Sequence, residues 1–154
     1  MILRKASAAD VPRLRAMLQR LSDHDGGDYP VGSEAALLAG GFGPHPLFRA
    51  VIAEGPSPLG MVIYYPDFST HRGEPGVYIQ DLWVDPETRG TGLGRRLLAE
   101  AMAQQDWGAA YMVLGASPEN DLAMGFYAKV GFERRGYEYL ILAGDGLKAL
   151  QTPT

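Results

Sequence analysis

Arg89-Gly90-Thr91-Gly92-Leu93-Gly94-Arg95-Arg96 stands between a run of strong β-formers, Val77 to Val84, and a helical apolar stripe, Leu93, Leu97, Leu98, Ala101 and Met102. Strand, glycine-rich turn and core-facing helix follow one another with no linker. The first turn of a helix presents amide N–H groups that lack intrahelical partners, and its dipole favours an anion. Three glycines allow close backbone approach, and the three arginines between Thr88 and Ala99 are opposed by no acid. The stretch therefore reads as a turn that holds phosphate. Its spacing excludes two nucleotide sites. A Walker loop needs Gly-Lys-Ser/Thr, and a dinucleotide fingerprint needs glycine where this chain has Arg95. A pyrophosphate without its own catalytic metal fits better.

Upstream, Ile2 and Leu3 open a short strand, and Ser7 with Asp10 resembles a capping box feeding a helix from Val11 to Leu21. Ser22 to Pro30 reads as a loop, and Ser33 caps a short helix through Leu38 that Gly40, Gly41 and Gly43 stop. Phe48 to Glu54 and Leu59 to Tyr65 read as a hairpin, followed by a loop from Pro66 to Gly76. Downstream come a strand at Tyr111 to Leu114, a helix at Asp121 to Lys129, and Phe132 with Tyr137 to Ala143 as a closing pair of strands. The tail from Lys148 is expected to fray. This order predicts an α/β (α+β) fold, a mixed sheet with helices on both faces.

The 154 residues predict a single domain, 1–154. With 14 Lys+Arg against 18 Asp+Glu the net charge is −4, the wrong sign for a nucleic-acid or membrane-surface module. Zero cysteines exclude thiolate nucleophiles and thiolate metal ligands. The histidines, at 24, 45 and 71, have no metal-site spacing, so no metal is predicted. No stretch approaches the roughly 18 apolar residues of a membrane span, and a cytoplasmic protein is expected.

A second constellation follows the helix. Asn120 stands at a helix start, and Phe126-Tyr127-Ala128-Lys129-Val130-Gly131-Phe132 comes about two turns later. Taken alone, Phe126 and Tyr127 are core aromatics. Together with Arg-x-x-Gly-x-Gly after a strand, the pattern resembles the GNAT superfamily of N-acetyltransferases over about Tyr78 to Phe132. Tyr64-Tyr65-Pro66, Phe68-Ser69-Thr70 and Tyr78-Ile79-Gln80-Asp81-Leu82-Trp83-Val84 are similar to its diamine/polyamine (spermidine/spermine) branch.

The resemblance implies a mostly antiparallel central sheet of about six to seven strands flanked by about four helices. It also implies acetyl-CoA as co-substrate and a homodimer paired through C-terminal strands. Leu82, Trp83 and Val84 would border the pantetheine arm, and Arg89, Gly90, Thr91, Gly92, Leu93, Gly94 and Arg95 would hold the pyrophosphate. Asn120 matches a residue bonding the pantetheine region, with Phe126 and Lys129 beside it in the motif. Tyr127 matches the tyrosine that protonates the departing thiolate. The implied reaction is direct attack of a neutral amine within a ternary complex, which agrees with the lack of cysteine.

An alkyl ammonium with a pKa of about 10.4 must first lose a proton. The branch commonly has Glu-Asp where this chain has Gln80-Asp81, and Gln80 is no base. Strand alternation turns Asp81 to the face opposite Gln80, so Asp81 is no simple replacement. A water relay, His24 or an amine delivered neutral are the remaining sources. Between Leu21 and Phe48, Asp23, Asp25, Asp28 and Glu34 stand with no Lys or Arg, the clearest single-sign segment. In the resembled family this region borders the acceptor, so Asp23, His24 and Asp25 are candidates for drawing in a small cationic, polyamine-like amine. Each acid also reads as a turn former. Tyr65, Gln80 and Asp81 complete the acceptor candidates. Two rivals stay open: an acyl-CoA-binding sensor that lost its chemistry, and an enzyme acting on protein or peptide amines.

Overall fold

The computed structural model describes residues 1–27 and 30–153, so Asp28 lies outside the described residues. They group into two compact units, Met1–Leu114 and Gly115–Thr154. The first is built on one five-stranded sheet: β1 (Ile2–Lys5), β2 (Arg49–Glu54), β3 (Gly60–Ser69), β4 (Glu74–Val84) and β5 (Met112–Leu114), in that order. β1 to β4 form an antiparallel meander, whereas β5 runs parallel to β4. A parallel neighbour needs a crossover, and α3 (Leu93–Gln104) supplies it. The glycine-rich turn therefore sits where the chain leaves β4.

Alternation sorts the side chains of β2 and β3 onto two faces. Ala50, Ile52, Met61 and Ile63 join Trp83 of β4 and Leu14 and Met17 of α1 (Val11–His24) in one buried cluster. On the opposite face Gly60 leaves room for Leu93 and Leu97 of α3. Ser33 starts α2 (Glu34–Phe42), its hydroxyl accepting from the Ala36 amide at 3.1 Å. This helix runs through Gly40 and Gly41, past the predicted stop at Leu38. Packing is the reason: a Cβ at Gly41 would collide with the Phe48 ring, which stands edge-on to Phe42 at 6.0 Å.

Asp10 closes a short 3-10 turn, Ala8–Asp10, before α1. Only 2% of it is exposed. Its carboxylate accepts from both terminal nitrogens of Arg4 at 2.7 Å and from the Ser7 amide at 2.7 Å. Arg4 also reaches Glu54 at 2.6 Å, so β1, β2 and the start of α1 share one ionic knot. Arg4 holds the Asp10 carboxyl well below the usual carboxylate range. The stabilisation is thus present at neutral pH and is lost only as the pH falls below that range. Asp10→Ala removes two of the charge-assisted bonds of the half-buried Arg4, leaves it Glu54, and is expected to cost about 2 kcal/mol, read as a lower urea midpoint. A midpoint equal to wild type would mean the knot contributes nothing net.

The structure departs from the sequence reading in four further places. α1 continues through Ser22, Asp23 and His24, because the amides of Asp25 and Gly27 find the carbonyls of Leu21 and Ser22 at 3.0 and 2.7 Å. Pro66 to Gly76 is mostly strand: Pro66 pairs with Val77 and Asp67 with Gly76. Tertiary partners override the turn signals there, with Trp107 Nε1 donating to the Gly76 carbonyl at 2.8 Å and the Tyr111 hydroxyl donating to Asp67. Six to seven strands become five, since Phe132 and Tyr137 to Ala143 form no ladder among the described residues. Strong β-formers fit a pleated surface but do not create one without a partner. Finally, α5 (Gly144–Gln151) joins α4 (Asp121–Val130) in the second unit, giving five α-helices among the described residues where about four were expected. No helix among the described residues is long and apolar enough to cross a membrane.

Candidate active site

β4 ends at Val84, and the carboxylate of the next residue, Asp85, caps the 3-10 turn Pro86–Thr88 by accepting from the Glu87 amide at 2.9 Å. Arg20 of α1 lies 4.6 Å over the Trp83 ring and 3.3 Å from the Asp85 carboxylate, which fixes this end of the strand. The chain then turns with Gly90 at φ +78° and Gly92 at φ +85°, a region that favours glycine. The Thr91 hydroxyl donates to the Thr88 carbonyl at 2.6 Å. Gly92 is the N-cap of α3, and no side chain caps the helix from that position. Helical hydrogen bonding begins with the Arg96 amide on the Gly92 carbonyl at 3.1 Å. The amides of Leu93, Gly94 and Arg95 precede that bond, so they are the first-turn donors an anion would meet. Leu93 and Gly94 are buried, while Arg89 and Arg95 stay exposed and are available to a phosphate.

The register of β3 on β4 slips once. Ile63 pairs with Asp81 and Tyr64 with Ile79, so Gln80 is an extra residue, a β-bulge. Side-chain alternation fails across a bulge. Gln80 and Asp81, expected on opposite faces, line one cavity of about 270 Å³ together with Tyr65. The Asp81 carboxylate and the Gln80 amide therefore face the same space. The Tyr65 hydroxyl donates to Gln80 Oε1 at 3.2 Å, and its ring stacks on Tyr78 at 4.9 Å. The remaining walls are Leu18 of α1, Leu37 of α2, Leu47 and Phe48 before β2, and Ile63. In these apolar surroundings burial, with repulsion from Asp25 as the smaller cause, pushes the Asp81 carboxyl up to about 6.

In the second unit Asn120 is the N-cap of α4, its side-chain oxygen accepting from the Ala123 amide at 3.1 Å. The Tyr127 ring meets Phe126 at 5.3 Å and Phe132 at 5.4 Å, edge-on in both cases. All three rings are only partly buried, so Phe126 and Tyr127 are not the plain core pair their residue types suggest. Lys129 is exposed in the last turn.

The family model "Acetyltransferase (GNAT) family" matches residues 14–132, most of the chain. The chain belongs to this family. It is an N-acetyltransferase of GNAT type, and such enzymes draw their acetyl group from acetyl-CoA. Thialysine N-epsilon-acetyltransferase of Bos taurus is 28% identical over 97% of this chain and 96% of that protein. Spermidine/spermine N(1)-acetyltransferase-like protein 1 of Homo sapiens is 30% identical over 62% of this chain and 15% of that protein. Among solved structures, an integron cassette protein from the mobile metagenome of V. cholerae superposes with a TM-score of 0.78 at 23% identity, covering 99% of this chain and 98% of that one.

The other predicted residues of this GNAT protein are distributed unevenly. The Trp83 side chain is core, 3% exposed, so what that position offers a ligand is its backbone. Leu82 and Val84 are half-buried beside it. Asp23, His24 and Asp25 are exposed at the C-terminal end of α1 rather than in a free loop, and Asp23 accepts from Gln19 at 3.0 Å. None of the three lines the cavity. Among the described residues no group of three His, Asp or Glu could hold a metal. The cavity walls Leu18, Leu37, Leu47 and Phe48 escaped the sequence reading. Leu47 carried a faint signal, a leucine just after the turn-like Gly43-Pro44-His45-Pro46.

Proposed function

We propose that the chain acetylates a small primary amine that enters as a cation, with Asp81 as the group that takes its proton. The observation that carries this reading is the bulge at Gln80, which sets a carboxylate with a raised pKa in an apolar cavity beside β4. At neutral pH Asp81 is ionised, yet it is a better base than an ordinary carboxylate. The ammonium gives one proton to Asp81, and the neutral nitrogen attacks the thioester carbon of acetyl-CoA. A C–N bond forms and the C–S bond breaks. The thiolate takes the Tyr127 proton, and the second nitrogen proton makes good that loss. A backbone N–H of Leu82 to Val84 is assigned to the developing oxyanion. The turn from Arg89 to Arg95 is assigned to the pyrophosphate, and Asn120, Phe126 and Lys129 to the pantetheine region. The exposed Asp23 and Asp25 raise the local concentration of cationic amines, the feature that makes a polyamine-like acceptor the starting expectation.

The test is thiol release from acetyl-CoA against a panel of amines, amino acids and peptides, with a no-acceptor control and mass identification of the product. Acceptor-dependent release with an N-acetyl product is expected. Release without acceptor, or tight coenzyme A binding with no turnover, would overturn the reading. Replacing Arg89 and Arg95 together with Ala is expected to weaken coenzyme A binding by about tenfold to a hundredfold in calorimetry. Unchanged affinity would place the pyrophosphate elsewhere. We also infer a homodimer. Leu140 and Ile141 are 90% and 91% exposed, an apolar pair that a second copy would take out of water. Light scattering should give twice the chain mass, and a monomer would refute it.

A further inference from the structure

We propose that the cavity beside β4 selects a primary amine carried on one apolar body, an alkyl or arylalkyl monoamine, over a diamine or polyamine. The inference rests on the amine-acetylation reading above and narrows it. Among the described residues that line the cavity, Asp81 is the single ionisable acid or base apart from the Tyr65 phenol. One ammonium can pair with it. The rest of the acceptor then lies against Leu18, Leu37, Phe48 and Ile63, contributed by α1, α2, the residue before β2, and β3. Methylenes or a ring gain from that burial, at about 0.8 kcal/mol per CH₂. A second ammonium held within the same lining meets hydrocarbon and, among the described residues there, no second acid, which costs far more than a methylene gains.

Two further observations point the same way. Tyr65 donates to the side-chain oxygen of Gln80 at 3.2 Å, so part of that oxygen's accepting capacity is already used and less is left for a second cation. Leu47 lines the cavity yet is 74% exposed, an apolar side chain with water to shed when an apolar ligand seats against it. The acids that could serve a distal ammonium, Asp23 and Asp25, stand outside the lining and in solvent. They attract cations to the region without offering a second buried seat.

The experiment uses the full chain with acetyl-CoA and two acceptors on one carbon skeleton, hexylamine and 1,6-diaminohexane. The expected kcat/KM for hexylamine exceeds that for the diamine by about tenfold or more, equivalent to about 1.4 kcal/mol. Equal values, or a diamine advantage, would overturn the inference while leaving amine acetylation standing. If neither amine turns over, the acetylation reading fails for these acceptors, and calorimetric binding to the coenzyme A complex decides the inference separately. Hexylamine binding tighter than the diamine supports it, and the reverse or equal affinity overturns it. A second variant guards against coincidence. Leu37→Glu, at a half-buried helix position, places a carboxylate on the apolar wall and should raise the diamine-to-monoamine ratio of kcat/KM by about tenfold. A ratio unmoved in a folded variant would mean that this wall does not meet the acceptor.

Discussion

Asp81→Asn is expected to lower kcat/KM at pH 7.5 by about a hundredfold to ten thousandfold, the range of a lost general base. The amide keeps the shape of the side chain and its place in the cavity, so coenzyme A affinity should hold. The pH profile is the sharper readout. With the carboxyl pushed up to about 6, wild-type kcat/KM should climb as the pH rises through that value, and the Asn variant should lack this limb. Stability moves the opposite way. A carboxyl whose folded pKa lies above its ordinary 3.8 binds its proton more tightly folded than unfolded, so wild-type stability falls as the pH rises between 3.8 and about 6. The Asn variant should therefore melt higher than wild type at pH 7 and close to it at pH 4. A variant that keeps its rate and its acid limb would remove Asp81 from proton transfer and return the role to water or His24.

Tyr127→Phe should lower kcat by about tenfold to a thousandfold. The ring that packs against Phe126 and Phe132 is retained, so α4 and its cap at Asn120 stay in place and coenzyme A affinity should change by less than about twofold. Stopped-flow single-turnover measurement with saturating acceptor separates the chemical step from product release. Full single-turnover rate in the variant would show that the thiolate leaves without this hydroxyl. A loss confined to KM would instead make Tyr127 a positioning residue.

Much of the scaffold was legible because its signals are local. The stripe Val11, Leu14 and Met17 is the buried face of α1, and Leu93, Leu97, Leu98 and Ala101 are that of α3. The glycines of the turn after β4 announced themselves because Gly90 and Gly92 adopt a conformation other residues avoid. The bulge stayed hidden because an alternation argument assumes a constant period. Its one trace in the sequence is Gln80-Asp81, two successive polar residues inside a strand flanked by apolar ones. The extension of β3 and β4 past Pro66 and Gly76 was equally hidden, since Trp107 and Tyr111, which tie it down, lie about thirty residues or more away in sequence. Tyr137 to Ala143 misled in the other direction. Its residues favour a strand, and propensity says nothing about whether a partner edge is at hand.

The extra residue in β4 also inverts a rule of parity. Before it, odd positions such as Val77 and Ile79 share the face of Val62 and Leu82, while Tyr78 stacks on Tyr65 of the cavity. After it, odd positions such as Asp81 and Trp83 turn to the α1 side. One strand of eleven residues thus behaves as two short strands written in opposite phase. A substitution tolerated at an even position on one side of Gln80 finds its counterpart at an odd position on the other. Any variant library that treats β4 as a single alternating element will mutate the core where it intends the cavity, and the cavity where it intends the core.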